Sequence, residues 1–396
     1  TGSISSFTNA FFETMSGFTT TGASILNDIE AVPKGVLFWR SLTHWIGGMG
    51  IIVLMVAIFP LLGIGGVELF VAEAPGSSLE KIHPRIKEIA KRLWYIYAGL
   101  TTLLTFLLWA LGMTFFDAIN HALTTMATGG FSTKNASVAH FTSPAIQYTI
   151  LIFMFLAGIN YTVLYYGLVG KFKKVWGRDE FKTYIILVGI LMVGVTTSIY
   201  CSTDYGLEKS FRDATFQIIS VITTTGFVSA DYTSWTPALS LLFFFLLFVG
   251  ACAGSTSGGI KLIRHLVFFK NSFLEFKRLL HPNAIIRTKI DGRVVPSAIM
   301  THILVFLLLY LMLFFFGSLV MVVILNDFDR PLLSALGAVA TSLGNVGPAL
   351  ADLSPVDNFA AVPASGKCFL TFLMLLGRLE LFTILVIFTP YFWKTN

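Results

Sequence analysis

A short segment rich in threonine and glycine occurs four times in this chain, about every hundred residues, and no other feature constrains the fold more strongly. The four copies are Thr19–Gly22, Met126–Gly129, Thr223–Gly226 and Thr341–Gly344. Each copy follows a short apolar stretch and precedes a polar loop and a long apolar segment. A repeat of this kind marks one structural unit used several times. We therefore predict four tandem, pseudo-symmetric units around one central pore, each with an outer helix, a half-helix, a pore loop and an inner helix.

The composition is that of a membrane protein. Hydrophobic residues make up 55% of the chain and charged residues only 12%, whereas a soluble protein carries about twice that charged fraction. Seven apolar runs approach the roughly 20 residues that span a bilayer as a helix. These runs are Leu37–Leu62, Tyr95–Gly112, Tyr148–Val169, Tyr184–Tyr200, Leu239–Ala253, Ala298–Leu325 and Phe369–Phe388. The sequence thus predicts an all-α polytopic membrane protein.

The apolar stretches that precede the four loops are too short to cross a bilayer, so we predict that they are re-entrant half-helices. These stretches are Phe7–Phe18, Phe115–Met126, Phe211–Ile222 and Leu332–Ala340. The predicted units are then residues 1–70, 71–170, 171–270 and 271–396. Because the first unit opens on its half-helix, we expect its outer helix to lie in an N-terminal portion that this sequence does not contain.

Most of the Lys and Arg residues lie in the segments that join one unit to the next. Loops rich in these residues stay on the cytoplasmic side of a membrane. We therefore expect the four threonine–glycine loops to open to the outside. The net charge of +6 has the same explanation and does not call for a nucleic-acid partner. Cys201, Cys252 and Cys368 show neither a disulfide nor a metal-binding pattern.

The loops have the composition of a cation filter. A dehydrated potassium ion needs a cage of oxygen atoms, which converging backbone carbonyls supply. Glycine accepts the dihedral angles that turn successive carbonyls inward, whereas β-branched residues disfavour them, and a threonine hydroxyl adds a further oxygen. Half-helices aimed at the centre bring their negative C-terminal ends near the ion. The alternative is that small residues only mediate helix packing, but four similar copies favour a pore.

The third inner segment contains ten consecutive small or polar residues, Gly250–Gly259. Non-helical backbone at membrane depth occurs where it is buried in protein or lines water, so this segment is a candidate gate below the filter. The candidate gate residues are Gly250, Gly254, Ser255, Thr256, Ser257, Gly258 and Gly259. The alternative is a helix-packing face formed by its glycines.

Arg378 is a candidate gate residue of another kind, since a charge within an apolar span is costly and rarely incidental. We expect it near the middle of the fourth inner helix, where it would face the pore or bind carbonyls of the third inner segment. The alternative is a buried ion pair with Glu380 or Glu13. Residues two apart on a helix point to different faces, which makes Glu380 the weaker of these partners.

Three segments, Phe12–Ala23, Phe38–Gly50 and Gly377–Leu381, resemble the Trk/Ktr/HKT superfamily of potassium transport proteins, and the resemblance extends over the whole chain. It implies one pore per subunit, a homodimer and a cytosolic nucleotide-binding regulatory partner similar to TrkA. Gly22 favours potassium, because relatives that pass sodium often have serine there. The potassium-binding filter residues that the resemblance implies are Thr20, Thr21, Gly22, Ala23, Ala127, Thr128, Gly129, Gly130, Thr224, Thr225, Gly226, Phe227, Ser342, Leu343, Gly344 and Asn345.

Other functions fit less well. The Asp residues fall in loops, so no intramembrane catalytic pair forms, and the repeats share one orientation, unlike the inverted repeats of many carriers. We therefore expect a non-enzymatic protein of the bacterial cytoplasmic (inner) membrane that takes up potassium and rubidium and needs no bound cofactor. The alternative function is proton- or sodium-coupled potassium symport.

Overall fold

The computed structural model describes residue 2 and residues 4–57, 82–354 and 357–393. The parts of two predicted features that fall at 58–81, the end of the first inner span and the boundary at 70–71, lie outside the described residues. Within the described ranges the regular structure is helical apart from one hairpin, formed by β1 (Lys289–Ile290) and β2 (Arg293–Val294), which pair antiparallel.

The described ranges contain sixteen α-helices, numbered here in chain order. They are α1 (Phe7–Phe18), α2 (Lys34–Ala57), α3 (Ile82–Ala110), α4 (Phe115–Met126), α5 (Pro144–Ala157), α6 (Tyr161–Leu168), α7 (Phe172–Trp176), α8 (Asp179–Ser202), α9 (Leu207–Ile222), α10 (Pro237–Leu246), α11 (Leu262–Leu280), α12 (Ser297–Ile324), α13 (Pro331–Gly344), α14 (Ala364–Arg378), α15 (Phe382–Leu385) and α16 (Pro390–Trp393).

The four predicted half-helices are present as α1, α4, α9 and α13. Helices α1 and α4 have the predicted bounds, whereas α9 and α13 extend further. Local sequence explains where two of them start. The Thr114 hydroxyl accepts a hydrogen bond from Asp117 N and caps α4, and α13 has proline in its first turn, where the missing N–H costs nothing.

Among the described residues, three helices are long and apolar enough to cross a bilayer, at Ala90–Ala110, Asp179–Ser202 and Ser297–Ile324, and they match three of the predicted spans. Two further predicted spans are each a bent helix pair rather than one straight helix. Helices α5 and α6 meet at 108°, and α14 and the segment Phe382–Phe388 meet at 111°. With each pair taken as one span, up to five spans lie in the described residues.

The breaks interrupt apolar runs that look continuous in sequence. In the fourth inner segment Glu380 and Leu381 have positive φ values of 58° and 35°, which end a right-handed helix. The predicted span Leu239–Ala253 is also only partly helical, because α10 ends at Leu246. The residues that follow form an irregular segment up to Lys261, called here the inner loop (residues 247–261).

The helices pack in a closed ring. Each long outer helix lies against the half-helix that follows it: α3 against α4, α8 against α9 and α12 against α13. The inner helix of one unit contacts the half-helix of the next, as with α2 and α4, and with α5 and α9. Helix α14 contacts α1. The last unit is thereby joined to the first, and the four loops that follow the half-helices face a common centre.

One predicted unit boundary lies within a helix. The boundary at 270–271 falls inside α11, which is a continuous helix. The chain leaves that helix only after Leu280 and then forms the β1–β2 hairpin. This hairpin packs with α11 and α12 in a small separate cluster around Val267, Ile290 and Ile299.

Candidate functional site

All four half-helices end in the same backbone turn. A residue with φ between 52° and 55° follows each helix and is followed two positions later by a glycine with positive φ. The residues with φ between 52° and 55° are Thr20, Thr128, Thr224 and Asn345. The glycines two positions later are Gly22, Gly130, Gly226 and Gly347. β-branched residues rarely adopt a positive φ. The expectation that only glycine takes such angles in these loops is therefore wrong at three threonines.

The four turns touch one another in a ring. A Cβ atom added to Gly22 would lie 2.2 Å from the Gly129 carbonyl oxygen, and one added to Gly130 would lie 2.0 Å from the Thr225 oxygen. The corresponding distance from Gly226 to the Val346 oxygen is 2.0 Å. From Gly347 to the Thr21 oxygen it is 2.7 Å. Four backbones therefore approach so closely that no side chain fits between them.

This ring defines the register of the loops. The segments in corresponding positions, called here the ring loops, are Thr20–Ala23, Thr128–Phe131, Thr224–Phe227 and Asn345–Pro348. The predicted first and third segments have this register. The predicted second segment, Ala127–Gly130, is displaced by one residue and the predicted fourth, Ser342–Asn345, by three.

The displacement has a simple cause. In the fourth loop, helix α13 continues through Ser342, Leu343 and Gly344. In the second loop, Gly129 corresponds to Thr21 rather than to Gly22. Its N–H donates to Thr124 O, just as Thr21 N donates to Ser16 O. Sequence analysis missed four ring residues as a result. These residues are Phe131, Val346, Gly347 and Pro348. The sequence did contain a signal for the correct register. In both loops a second glycine, Gly130 or Gly347, follows the glycine that was chosen.

The hydroxyl groups alternate around the ring. In the first loop Thr19 and Thr21 are joined by a 2.8 Å hydrogen bond between their Oγ1 atoms, and in the third Thr223 and Thr225 are joined at 2.7 Å. The second loop has Ala127 and Gly129 at these positions and the fourth has Gly344 and Val346. The ring is thus closer to two-fold than to four-fold symmetry.

A buried ion pair supports the first two ring loops from behind. Arg40 Nε on α2 lies 2.6 Å from Glu13 Oε1 on α1, and its Nη1 donates to Ser132 O at 3.0 Å. Glu13 also accepts hydrogen bonds from Ser24 Oγ and Ile25 N, just after the first ring loop. The pair therefore fixes the exits of two loops. Both residues belong to motifs that sequence analysis noted, but it assigned them no such role.

A polar cavity of about 90 Å³ lies against the ring and is lined by all four ring glycines. Loops of the first two units cross its outer side, where Asn135 donates a hydrogen bond to Asp28. This hydrogen bond lowers the pKa of the Asp28 carboxyl. On this side the ring therefore borders a cavity whose outer edge carries exposed residues.

On the other side the inner loop lies directly against the ring. Gly258 N donates to Thr224 Oγ1 at 2.6 Å, and a Cβ added to Gly258 would lie 2.7 Å from Gly344 O. The Thr256 hydroxyl donates to Met126 O, the last carbonyl of α4, at 3.0 Å. Thr256 is fully buried. The inner loop thus contacts the second, third and fourth units at once.

Residues of other helices hold the inner loop at its middle and just after its end. Glu180 on α8 accepts hydrogen bonds from Ala253 N at 2.7 Å and from Ile263 N at 3.1 Å. Asn160, at the break between α5 and α6, donates to Ala253 O at 2.6 Å. Among the predicted gate residues, Ser255 and Ser257 share a hydrogen bond between their hydroxyls at 2.8 Å. The loop is consequently ordered by specific polar contacts.

Gly250 and Gly259 lie where the two ends of the loop meet. Gly250 N donates to Ile260 O at 2.9 Å, and its Cα lies 3.5 Å from the position that a Cβ on Gly259 would take. Gly254 is close to Asn160, since an added Cβ would lie 2.8 Å from the amide nitrogen. These glycines pack within the loop and against Asn160 rather than forming one face of a helix.

Arg378 is the last residue of α14, not a mid-helix residue as expected. Its Nη1 donates to Thr256 O at 2.8 Å and its Nη2 to Gly47 O at 3.2 Å. The side chain is buried and therefore lies between the inner loop and α2. The two ion-pair partners considered from sequence are engaged elsewhere, since Glu13 pairs with Arg40 and Glu380 with Arg264.

No group of three or more His, Cys, Asp or Glu residues suited to hold a metal ion occurs in the part of the chain that the structure describes. The oxygen atoms that converge at the ring are backbone carbonyls and hydroxyls. Such neutral oxygens suit a weakly hydrated monovalent cation better than a tightly chelated transition metal.

Known proteins share this sequence and fold. A family model named TrkH and described as a cation transport protein matches residues 1–394. The potassium uptake protein TrkH of Salmonella typhimurium is 43% identical over 98% of this chain and 80% of its own length. The uptake protein TrkG of Escherichia coli is 34% identical over 98% of this chain and 79% of its own length.

A solved structure has the same fold. The crystal structure of the potassium transporter TrkH from Vibrio parahaemolyticus superposes with a TM-score of 0.88 at 38% identity, covering 98% of this chain and 80% of that one. The match extends over nearly the whole chain. On sequence and structure together, the chain belongs to the TrkH family of cation transport proteins.

Proposed function

We propose that this chain conducts potassium, and also rubidium, through the centre of the ring loops. The observation that carries the proposal is the ring itself, in which four glycines each abut a carbonyl of the next loop. Potassium is the substrate that the relatives' names give. Carbonyl rings replace the hydration shell of this ion.

The surroundings of the ring favour a cation. Four half-helices end at the ring, and the C-terminal end of a helix carries a partial negative charge. The carbonyl oxygens of Thr21, Gly129, Thr225 and Val346 lie at corresponding positions in the four loops. With Gly22 in the first loop rather than serine, the ring has glycine at all four equivalent positions, as a potassium preference requires.

We further propose that the inner loop and Arg378 form the gate. The inner loop lies under the ring, and Arg378 holds it through Thr256 O. A guanidinium group below a cation filter also raises the energy of a cation there. Opening then requires that the hydrogen bonds of Arg378 to the loop and to Gly47 are released.

The remaining assignments are proposals of the same kind. We infer four units, with the third boundary moved to the segment after α11, a multi-pass location in the bacterial inner membrane, a homodimer and a cytosolic regulatory subunit similar to TrkA. The relatives' names refer to Trk systems, which supports further components. Passive conduction fits two of the buried carboxylates, Glu13 and Glu380, because both are held in ion pairs rather than placed in a proton relay.

The test is uptake of radioactive rubidium into potassium-loaded liposomes that contain the full-length protein. We expect Arg378→Ala to raise uptake by about tenfold, since its loss removes two charge-assisted hydrogen bonds. We expect Gly22→Ser to weaken discrimination against sodium, because its Cβ would press on Gly129 O.

Gly189→Ala is the matched control, as nothing lies within 4 Å of its added Cβ. Uptake that potassium fails to block, or that neither Arg378→Ala nor Gly22→Ser alters, would overturn the filter and gate assignments and leave the fold unaffected.

A further inference from the structure

The closed inner loop and the ring share one hydroxyl group. The four residues at the inner edge of the ring are Thr20, Thr128, Thr224 and Asn345, and each carries a side-chain oxygen. Only Thr224, among these four, gives its oxygen to the inner loop, through the 2.6 Å hydrogen bond from Gly258 N. Thr128 Oγ1 bonds to the adjacent Ala127 O. Thr20 Oγ1 has no hydrogen-bond partner within the described residues.

A second contact has the same character. The Thr256 hydroxyl donates to Met126 O, a carbonyl at the C-terminal end of α4. Helix carbonyls at such an end normally have no partner within the helix and attract cations. The inner loop therefore presents an N–H and an O–H to two oxygens that border the ring.

The Gly258 N–H and the Thr256 O–H bind these oxygens as a cation would. An N–H group and a potassium ion both bind an oxygen through its lone pairs, and Thr224 as a residue is only 1% exposed. Thr224 Oγ1 accepts the hydrogen bond from Gly258 N at 2.6 Å. The lone pair that accepts this bond is not available to an ion. Closure of the loop and full coordination at the inner edge of the ring thus compete for the same atom.

We propose that Thr224 couples the ring to the gate: the closed inner loop holds the Thr224 hydroxyl, and a potassium ion at the inner edge of the ring favours release of the loop. This inference rests on the proposed filter and gate. By linkage, an ion that gains a ligand when the loop leaves must shift the loop toward release. Potassium on this view is an activator of its own pathway as well as its substrate.

A native cysteine reports on the loop. Cys252 lies in the inner loop and is 1% exposed, whereas Cys201 and Cys368 are exposed. In liposomes containing the full-length protein, N-ethylmaleimide labelling of the Cys252 peptide is followed by mass spectrometry, with the Cys201 peptide as the internal reference. The wild-type protein is compared in potassium and in N-methylglucamine at equal ionic strength.

We expect potassium to speed Cys252 labelling in the wild type by about two- to tenfold, the range for one net hydrogen bond. In N-methylglucamine, Thr224→Val is expected to label faster than the wild type by a similar factor. Thr224→Ser keeps the hydroxyl and should label like the wild type. Thr20→Val is the matched control. It removes a hydroxyl from the same edge of the ring, but this hydroxyl makes no hydrogen bond to the inner loop.

Three results would overturn the coupling: labelling of the wild type that is indifferent to potassium, equal labelling of Thr224→Val and Thr20→Val, or labelling of Thr224→Ser as fast as that of Thr224→Val. The wild-type comparison holds even if a variant fails to fold. Rubidium uptake measured on the same liposomes separates the two proposals. Absent uptake in the wild type refutes the proposed function, whereas normal uptake with unchanged labelling refutes only the coupling.

Discussion

At the scale of single residues, the ring is built on backbone conformations that side chains usually avoid. Thr20, Thr128 and Thr224 hold positive φ values near 50°, and each such residue costs roughly 1–3 kcal/mol. The half-helices maintain the turn, since Thr21 N bonds to Ser16 O and Thr225 N to Ser220 O. Strain that is held in place by surrounding structure is characteristic of functional sites.

Gly347 is the residue at which this view differs most from the sequence prediction, which did not include it. Its φ is 102°, and an added Cβ would lie 2.7 Å from Thr21 O. We expect Gly347→Ala to reduce rubidium uptake by at least about tenfold, because backbone of the first loop must move by more than the ring allows. Uptake assays normalised to folded protein measure this effect.

Gly189→Ala in α8 again serves as the control for a glycine-to-alanine change. Normal, potassium-selective uptake by Gly347→Ala would show that the fourth loop does not take part in the ring as described.

At the scale of elements, the sequence predicted helices better than it predicted their interruptions. The bounds of α1 and α4 follow from apolar stretches that end in polar turns, so they were predicted correctly. The breaks after α5 and α14 were not predicted, because the apolar runs continue through them. Their causes are tertiary. Asn160 caps α6 by accepting from Thr162 N and also binds the inner loop, a contact that no local pattern reveals.

Glu180 is the element-scale residue with the clearest expected effect, because one carboxylate oxygen accepts an N–H from the middle of the inner loop, at Ala253, and another just after the loop, at Ile263. Glu180→Ala leaves both N–H groups without this acceptor, and hydrogen bonds to charged groups contribute about 1.5–3 kcal/mol each. We expect Cys252 labelling and rubidium uptake both to rise by about tenfold or more.

Glu208→Ala is the comparison variant, since Glu208 is a carboxylate whose side chain is 59% exposed at the start of α9, away from the inner loop. Equal labelling of Glu180→Ala and the wild type would show that the loop is held by its other contacts alone.

At the scale of the whole molecule, the prediction of four units around one axis agrees with the described ring of half-helices, while two predicted filter segments differ in register from the ring loops. The second and fourth loops each contain two glycines, Gly129 with Gly130 and Gly344 with Gly347. Either glycine of each pair can be aligned with Gly22 of the first loop. Only the contacts between units decide among them. Long-range contacts, namely one loop against the next, therefore held the information that the sequence lacked.

The seams between units also determine stability. Arg40 joins the first unit to the second through Glu13 and Ser132 O, and its side chain is 7% exposed. Arg40→Met leaves the Glu13 carboxylate buried without its cation, which costs about 3–5 kcal/mol. We expect a lower thermal unfolding temperature in detergent and weaker potassium selectivity, because two ring loops lose their common support.

The exposed Arg330→Met should leave the unfolding temperature unchanged. The double variant Glu13→Gln/Arg40→Met should lose less stability than Arg40→Met alone, since it removes the unpaired charge. A double variant that unfolds at a much lower temperature than the single one would argue against the ion pair as the source of the effect.

The alternation of hydroxyl pairs around the ring has a consequence for how such a protein varies. In an assembly of four identical chains, every substitution would appear four times and at once. Here one gene encodes all four quarters, so Ala127 and Gly129 can differ from Thr19 and Thr21 without any change in the others. Selection can therefore change one quarter of the ring at a time, and the four quarters can diverge from one another in sequence. Thr224 in one quarter is free to serve the gate while Thr20, at the same position in another, serves only the ring.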